Sequence, residues 1–258
     1  MNESNTPVSG SPFQVPEGSP FRRQPDQTPS QPPRLGILHL LVGTTCVAVY
    51  LAAGRTFAQI DPTGSESRLP VFEGLGSISG GIGLAGLILW IARRLRGFRF
   101  PVYPGEVLLV ALGIVNAGIL AVRTIQYVAS LLSEASGESW MLTSNLPFLA
   151  VYAVVALVFL VCGVIVKPLP WRIYFLAEAL ATGSWLLVVP MGWFSLATCS
   201  RILGMAADVV LLGIFLGNLR FARRYPWTHW LGVGLGLWNA CIGLGFWLWL
   251  LLVPYGGT

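Results

Sequence analysis

Seven long apolar runs, separated by short polar loops, set the pattern of this chain. They cover about residues 35–54, 75–92, 107–125, 146–166, 173–189, 202–219 and 230–253. Each reaches or approaches the ~18 to 20 residues that a helix rising 1.5 Å per residue needs to cross a hydrocarbon layer of ~30 Å. The pattern predicts an all-α membrane protein, a seven-transmembrane-helix bundle occupying residues 35–258.

Residues 1–34 read differently. They hold eight prolines and few large apolar residues, so they cannot bury enough surface to offset the entropy of ordering. The expectation is a disordered, Pro-rich cytoplasmic tail. Ser11-Pro12-Phe13-Gln14 and Ser19-Pro20-Phe21-Arg22 form a faint short repeat within it. The first apolar run begins only after Arg34, is too long for a signal peptide and has no Ala-x-Ala site.

Composition agrees with the pattern. Hydrophobic residues make up 54% of the chain and charged residues only 10%, with a mean hydropathy of +0.69. A soluble domain carries about 25% charged residues. The net charge of +5 is not a nucleic-acid footprint, because the cations sit in interhelical loops without a basic stripe. They report orientation instead. Arg93, Arg94, Arg96 and Arg99 form one loop, and positive loops are held on the cytoplasmic side. With that loop inside, 12 of the 16 cations fall on the same side, and Arg55, Arg68, Arg123 and Arg201 make up the rest. The N-terminus is then cytoplasmic and the C-terminus extracytoplasmic. Lys167 is the only lysine, a bias that points to a bacterial cytoplasmic membrane. The four cysteines, Cys46, Cys162, Cys199 and Cys241, show no metal spacing, and neither a cofactor nor a metal is expected.

Two stretches repeat. Arg99-Phe100, Tyr103-Pro104 and Leu112-Gly113-Ile114-Val115-Asn116-Ala117-Gly118-Ile119 match Arg220-Phe221, Tyr225-Pro226 and Leu235-Gly236-Leu237-Trp238-Asn239-Ala240-Cys241-Ile242. Spans 1–3 and 5–7 then become parallel triplets with span 4 as linker, a 3+1+3 plan in which sites form where repeats meet at mid-bilayer. Asn116 and Asn239 each lie about 14 Å from the inner boundary. This plan resembles that of the SWEET and PQ-loop sugar transporters. The resemblance implies a solute site at these two asparagines. The chain departs from that pattern in lacking a Pro-Gln pair within its spans and in its reversed orientation.

Polar groups inside apolar spans are costly and tend to face the bundle interior. Arg123 and Asp208 fall at one depth, which predicts an intramembrane ion pair between spans three and six. Glu178 has no cation level with it, although His39 is close in depth, and is a candidate proton-responsive group. Asn116 and Asn239 serve either as interhelical hydrogen-bond partners, worth about 0.6–2 kcal/mol, or as a two-asparagine substrate clamp. Gly76 and Gly80 on span two, and Gly232 and Gly236 on span seven, make small-residue faces suited to helix association, including a homo-oligomer.

Several enzyme classes are excluded. His39 and His229 lie towards the inner side, away from Ser77 and Ser79, which removes an intramembrane serine protease. An aspartyl protease needs two intramembrane aspartates and the spans hold one, Asp208. Histidine is too scarce for paired haem ligation, and no phosphate loop or nucleotide fingerprint occurs. Two expectations remain, neither of them enzymatic. One is a small-solute carrier using Asn116, Asn239 and Glu178, with the substrate unknown. The other is a membrane anchor, scaffold or sensor working through its tail and loops.

Overall fold

A computed structural model describes residues 36–58, 70–97, 101, 103–136, 145–191, 194–220 and 225–252. All regular structure among them is helical: α1 (Ile37–Ala58), α2 (Pro70–Leu95), α3 (Pro104–Ser136), α4 (Asn145–Ile165), α5 (Leu169–Met191), α6 (Phe194–Leu219) and α7 (Trp227–Leu252). The chain divides into two units, Met1–Arg34 and Leu35–Thr258. The expected tail, 1–34, lies outside the described residues.

The helices outrun the apolar spans read from the sequence. α3 has 33 residues, because neither proline nor glycine interrupts the polar continuation through Arg123 and Gln126. α5 passes through Pro190, where the sequence pattern ends a span. α2 opens on Pro70 and α3 on Pro104, first-turn positions where the missing N–H of proline costs nothing. At its other end α2 closes on Gly97, at a φ of 79°. The Gly97 N–H donates to the Arg94 carbonyl at 3.0 Å, a left-handed cap that turns the chain within the basic loop. Among the described residues three stretches, Gly74–Leu95, Pro104–Ala129 and Ala197–Leu219, are long and apolar enough to cross a membrane, and Leu149–Ile165 is a shorter apolar helix.

Contacts between helices fix their directions. Gly54 lies against Ser77 and Gly81 against Val47, so α1 and α2 run antiparallel. Gly86 meets Leu109 and Gly113 meets Gly83, which makes α2 and α3 antiparallel. Gly105 meets His229 while Gly236 meets Leu108, so α3 and α7 run parallel. The same logic sets α5 against α4 through Gly163 and Leu176, and through Gly183 and Ala156. α1, α2 and α3 pack in sequence, as do α4, α5 and α6; α3 packing on α4 joins the two groups, and α7 adds to the joint by packing on α2, α3 and α6. The core is shared by five helices, with Leu108 and Leu109 of α3, Phe159 of α4, Phe175 of α5, Leu211 of α6 and Val233 of α7 among its members. The outward face is apolar instead of charged: Val164 is 70% exposed and Val209 68%. Such a surface suits lipid rather than water.

Candidate functional site

α5 and α6 carry the same spacing of chemistry. Glu178 and Trp185 are seven residues apart on α5, and Arg201 and Asp208 are seven apart on α6. Seven residues are close to two helical turns, so each pair shares one face. The helices are antiparallel, which sets Glu178 beside Asp208 and Trp185 beside Arg201. A cleft of about 280 Å³ runs between these two ends. Ala181, Thr182 and Gly204 line it between the poles, Tyr152 of α4 lines one wall, and Gly243 and Leu244 of α7 close the far side.

Each pole is held by local contacts. The Arg201 guanidinium carbon stands 5.9 Å from the centre of the Trp185 ring, within cation–π range. Trp185 in turn stacks on Tyr152 at 6.0 Å and 17°. The buried Ser200 hydroxyl donates to the Ala181 carbonyl of α5 at 2.6 Å, and Ser184 donates to the same carbonyl at 2.8 Å. These bonds pin α6 to α5 beside the cleft. At the acidic pole the Glu178 and Asp208 carboxylates lie within electrostatic reach of each other and of the buried Tyr174 hydroxyl.

The other sequence-predicted residues fall elsewhere. Arg123 and Asp208 are not brought together. α3 packs on α2, α4 and α7, whereas α6 packs on α5 and α7, so equal depth does not make the two helices neighbours. Arg123 is exposed on α3, close enough to Tyr50 of α1 for its charge to act on that hydroxyl. His39 does not accompany Glu178; its ring meets Trp227 of α7 edge-on at 6.1 Å.

Asn116 and Asn239 do not line the cleft. The Asn116 amide donates to the Leu112 carbonyl of its own helix at 2.7 Å, while the Tyr50 hydroxyl donates to its backbone carbonyl at 3.0 Å. Asn239 Oδ1 accepts from Ser79 of α2. Both asparagines meet α2 one turn apart, at Gly83 and at Ser79. The glycine faces are also occupied in part. Gly232 packs on Gly105, Gly236 on Leu108 and Leu211, and Gly80 on Tyr50, whereas Gly76 has open space.

A second polar cluster joins the starts of α3 and α7. The Thr228 hydroxyl donates to Glu106 Oε1, and the Tyr103 N–H donates to Glu106 Oε2 at 3.2 Å. The Gly105 N–H donates to His229 Nδ1 at 3.1 Å. That bond places the imidazole proton on Nε2, which has no hydrogen-bond partner among the described residues. Aromatic rings surround it instead: Tyr225 stacks on His229 at 4.3 Å, with Trp230 and Trp171 edge-on at 5.4 and 6.0 Å. The repeat is the sequence signal for this cluster, since Tyr103 and Tyr225 occupy matching positions and touch at 5.7 Å. For the cleft the signal is the shared seven-residue spacing. Among the described residues no group of three metal-ligating side chains forms, and all four cysteines are free. Compared with known protein families, curated proteins and solved structures, the chain matches none of them.

Proposed function

We propose that this protein is a seven-span carrier of a small polar solute in the cytoplasmic membrane of a bacterium. Its N-terminus is cytoplasmic, its C-terminus extracytoplasmic, and it performs no covalent chemistry. One observation carries the reading: the cleft between α5 and α6 gathers Glu178, Asp208 and Arg201 on helices whose outward faces are apolar. Ionisable groups at membrane depth are expensive to keep, and they recur on solute and ion pathways. A cleft just under the usual 300–1,000 Å³ of ligand sites fits a solute of a few heavy atoms. The alternation of helix directions supports an odd number of crossings, and the parallel α3 and α7 support two triplets about a linker helix. In this reading the solute site is the α5–α6 cleft and not the asparagine pair, and Asn116 and Asn239 hold helices together.

The test is solute uptake in cells lacking the gene, complemented with wild-type protein, Glu178→Gln, Asp208→Asn or the Asn116→Leu/Asn239→Leu double variant. Both carboxylate variants lower uptake of the affected solute at least tenfold, and the double asparagine variant retains it. Uptake that follows the asparagines and ignores the carboxylates overturns this assignment. A second reading, a non-transporting anchor or scaffold, is favoured by the hydrogen-bonded amides of Asn116 and Asn239 and by the close helix packing at Gly232 and Gly236. The same screen decides for it if deletion of the gene changes the traffic of no solute.

A further inference from the structure

α2 ends in a pair of exposed arginines set just beyond an exposed apolar stripe. Ile88, Ile91 and Leu95 follow one another at three- and four-residue intervals, which puts them on one side of the helix. All three are exposed, and Leu95, at 82%, is the most exposed large apolar side chain among the described residues. Arg94 borders that stripe and Arg96 follows it, both exposed. Two bonds fold them into one turn. The Arg96 N–H donates to the Arg93 carbonyl at 3.2 Å, and the Gly97 N–H to the Arg94 carbonyl at 3.0 Å. No other two exposed cations among the described residues stand within four positions of each other.

We infer that this end of α2 binds an anionic phospholipid, with acyl chains along Ile88, Ile91 and Leu95 and the phosphodiester at Arg94 and Arg96. The inference rests on α2 spanning the bilayer and not on the α5–α6 cleft. Gly74–Leu95 is long and apolar enough for that crossing, so the two arginines stand where the hydrocarbon ends and headgroups begin. A guanidinium is always charged, and its planar fork matches two phosphate oxygens. Among the described residues neither arginine forms an ion pair. The carboxylate at the start of α3, beside this end of α2, is Glu106, which is buried and accepts from Tyr103 and Thr228. The surface charge of Arg94 and Arg96 is left for an anion. A zwitterionic lipid brings its own ammonium to the same place and gains less. A free phosphate gains nothing from the apolar stripe.

The test is native mass spectrometry of the full-length protein, titrated in detergent with phosphatidylglycerol or phosphatidylcholine of identical acyl chains. Wild type binds phosphatidylglycerol about tenfold more tightly than phosphatidylcholine, a preference that two arginines beside an anionic headgroup can supply. In Arg94→Gln/Arg96→Gln that ratio falls to near one. Arg172→Gln/Arg220→Gln removes the same charge from two separate exposed positions and keeps the wild-type ratio. Both affinities come from one sample, so a reduced folded fraction cancels from the ratio. The deacylated headgroup, glycerophosphoglycerol, added at the concentration of the lipid, leaves the lipid bound. The inference is overturned if wild type shows no preference, or if Arg94→Gln/Arg96→Gln keeps it. It is also overturned if the charge-matched variant loses the preference equally, or if the deacylated headgroup displaces the lipid. The last outcome assigns the two arginines to a soluble phosphate compound instead. None of these outcomes bears on the carrier reading, which the uptake variants test.

Discussion

Glu106 shows how much one side chain settles at the start of a helix. It is 3% exposed, and its two oxygens accept from the Tyr103 N–H of its own first turn and from Thr228 of α7. The first bond satisfies a backbone donor that the helix leaves orphaned, and the second fastens α3 to α7. Truncation to alanine strands the buried Thr228 hydroxyl, at a cost of about 1–3 kcal/mol for a buried donor left unpaired, and removes the acceptor of the half-buried Tyr103 N–H. Glu106→Ala therefore lowers the thermal unfolding temperature in detergent, and Glu106→Gln, which keeps an acceptor, lowers it less. Equal temperatures for wild type and Glu106→Ala would remove this explanation of the junction. The cluster around Glu106 is not legible in the sequence, because its partner on α7 is 122 residues away. His229 was hidden for a similar reason: what surrounds it is set by how α3, α5 and α7 meet.

Helix pairing follows the sequence pattern between α3 and α7 and departs from it between α3 and α6. The Tyr-Pro and Asn-Ala repeats gave α3 and α7 a common direction, and Gly105, Gly232 and Gly236 are what let these helices approach. A side chain at Gly232 would drive its Cβ into the Gly105 carbonyl oxygen, closer than any contact permits. Gly232→Ala must push the two helices apart and loses packing along the whole crossing. Gly234 has open space around it, so Gly234→Ala gains about 0.5–1 kcal/mol of helix preference. The pair is compared by thermal unfolding: Gly232→Ala melts below wild type, Gly234→Ala at or above it. The reverse order contradicts the α3–α7 contact. Pairing by depth failed for Arg123 and Asp208 because depth is a single coordinate. It says how far along a helix a residue lies and nothing about which helix stands beside it. The seven-residue spacing shared by Glu178–Trp185 and Arg201–Asp208 was legible, and it needed only the antiparallel α5–α6 pairing to become a site.

At the scale of the whole molecule, apolar faces point outward, glycine contacts close the α3–α7 crossing, and a cleft lined by Glu178, Arg201 and Asp208 opens between α5 and α6. Hydrophobic runs made the helical class plain from the sequence, since length and composition suffice for that. Their ends were not legible, because polar residues extend helices past the apolar stretch without any stop signal. For a carrier of the proposed topology, water reaches the cleft from the extracytoplasmic side, the side on which Arg201 falls when the Arg93–Arg99 loop is held inside. A single reporter tests topology and cleft together. Gly204 lines the cleft, and a Cβ there lies 4.0 Å from the Ala181 side chain, so a cysteine fits. With Cys46, Cys162, Cys199 and Cys241 replaced, intact cells carrying Gly204→Cys are treated with a membrane-impermeant maleimide. An outward-facing cleft predicts labelling from outside the cell. Labelling only after the cytoplasmic side is opened, or none at all in folded protein, would contradict it.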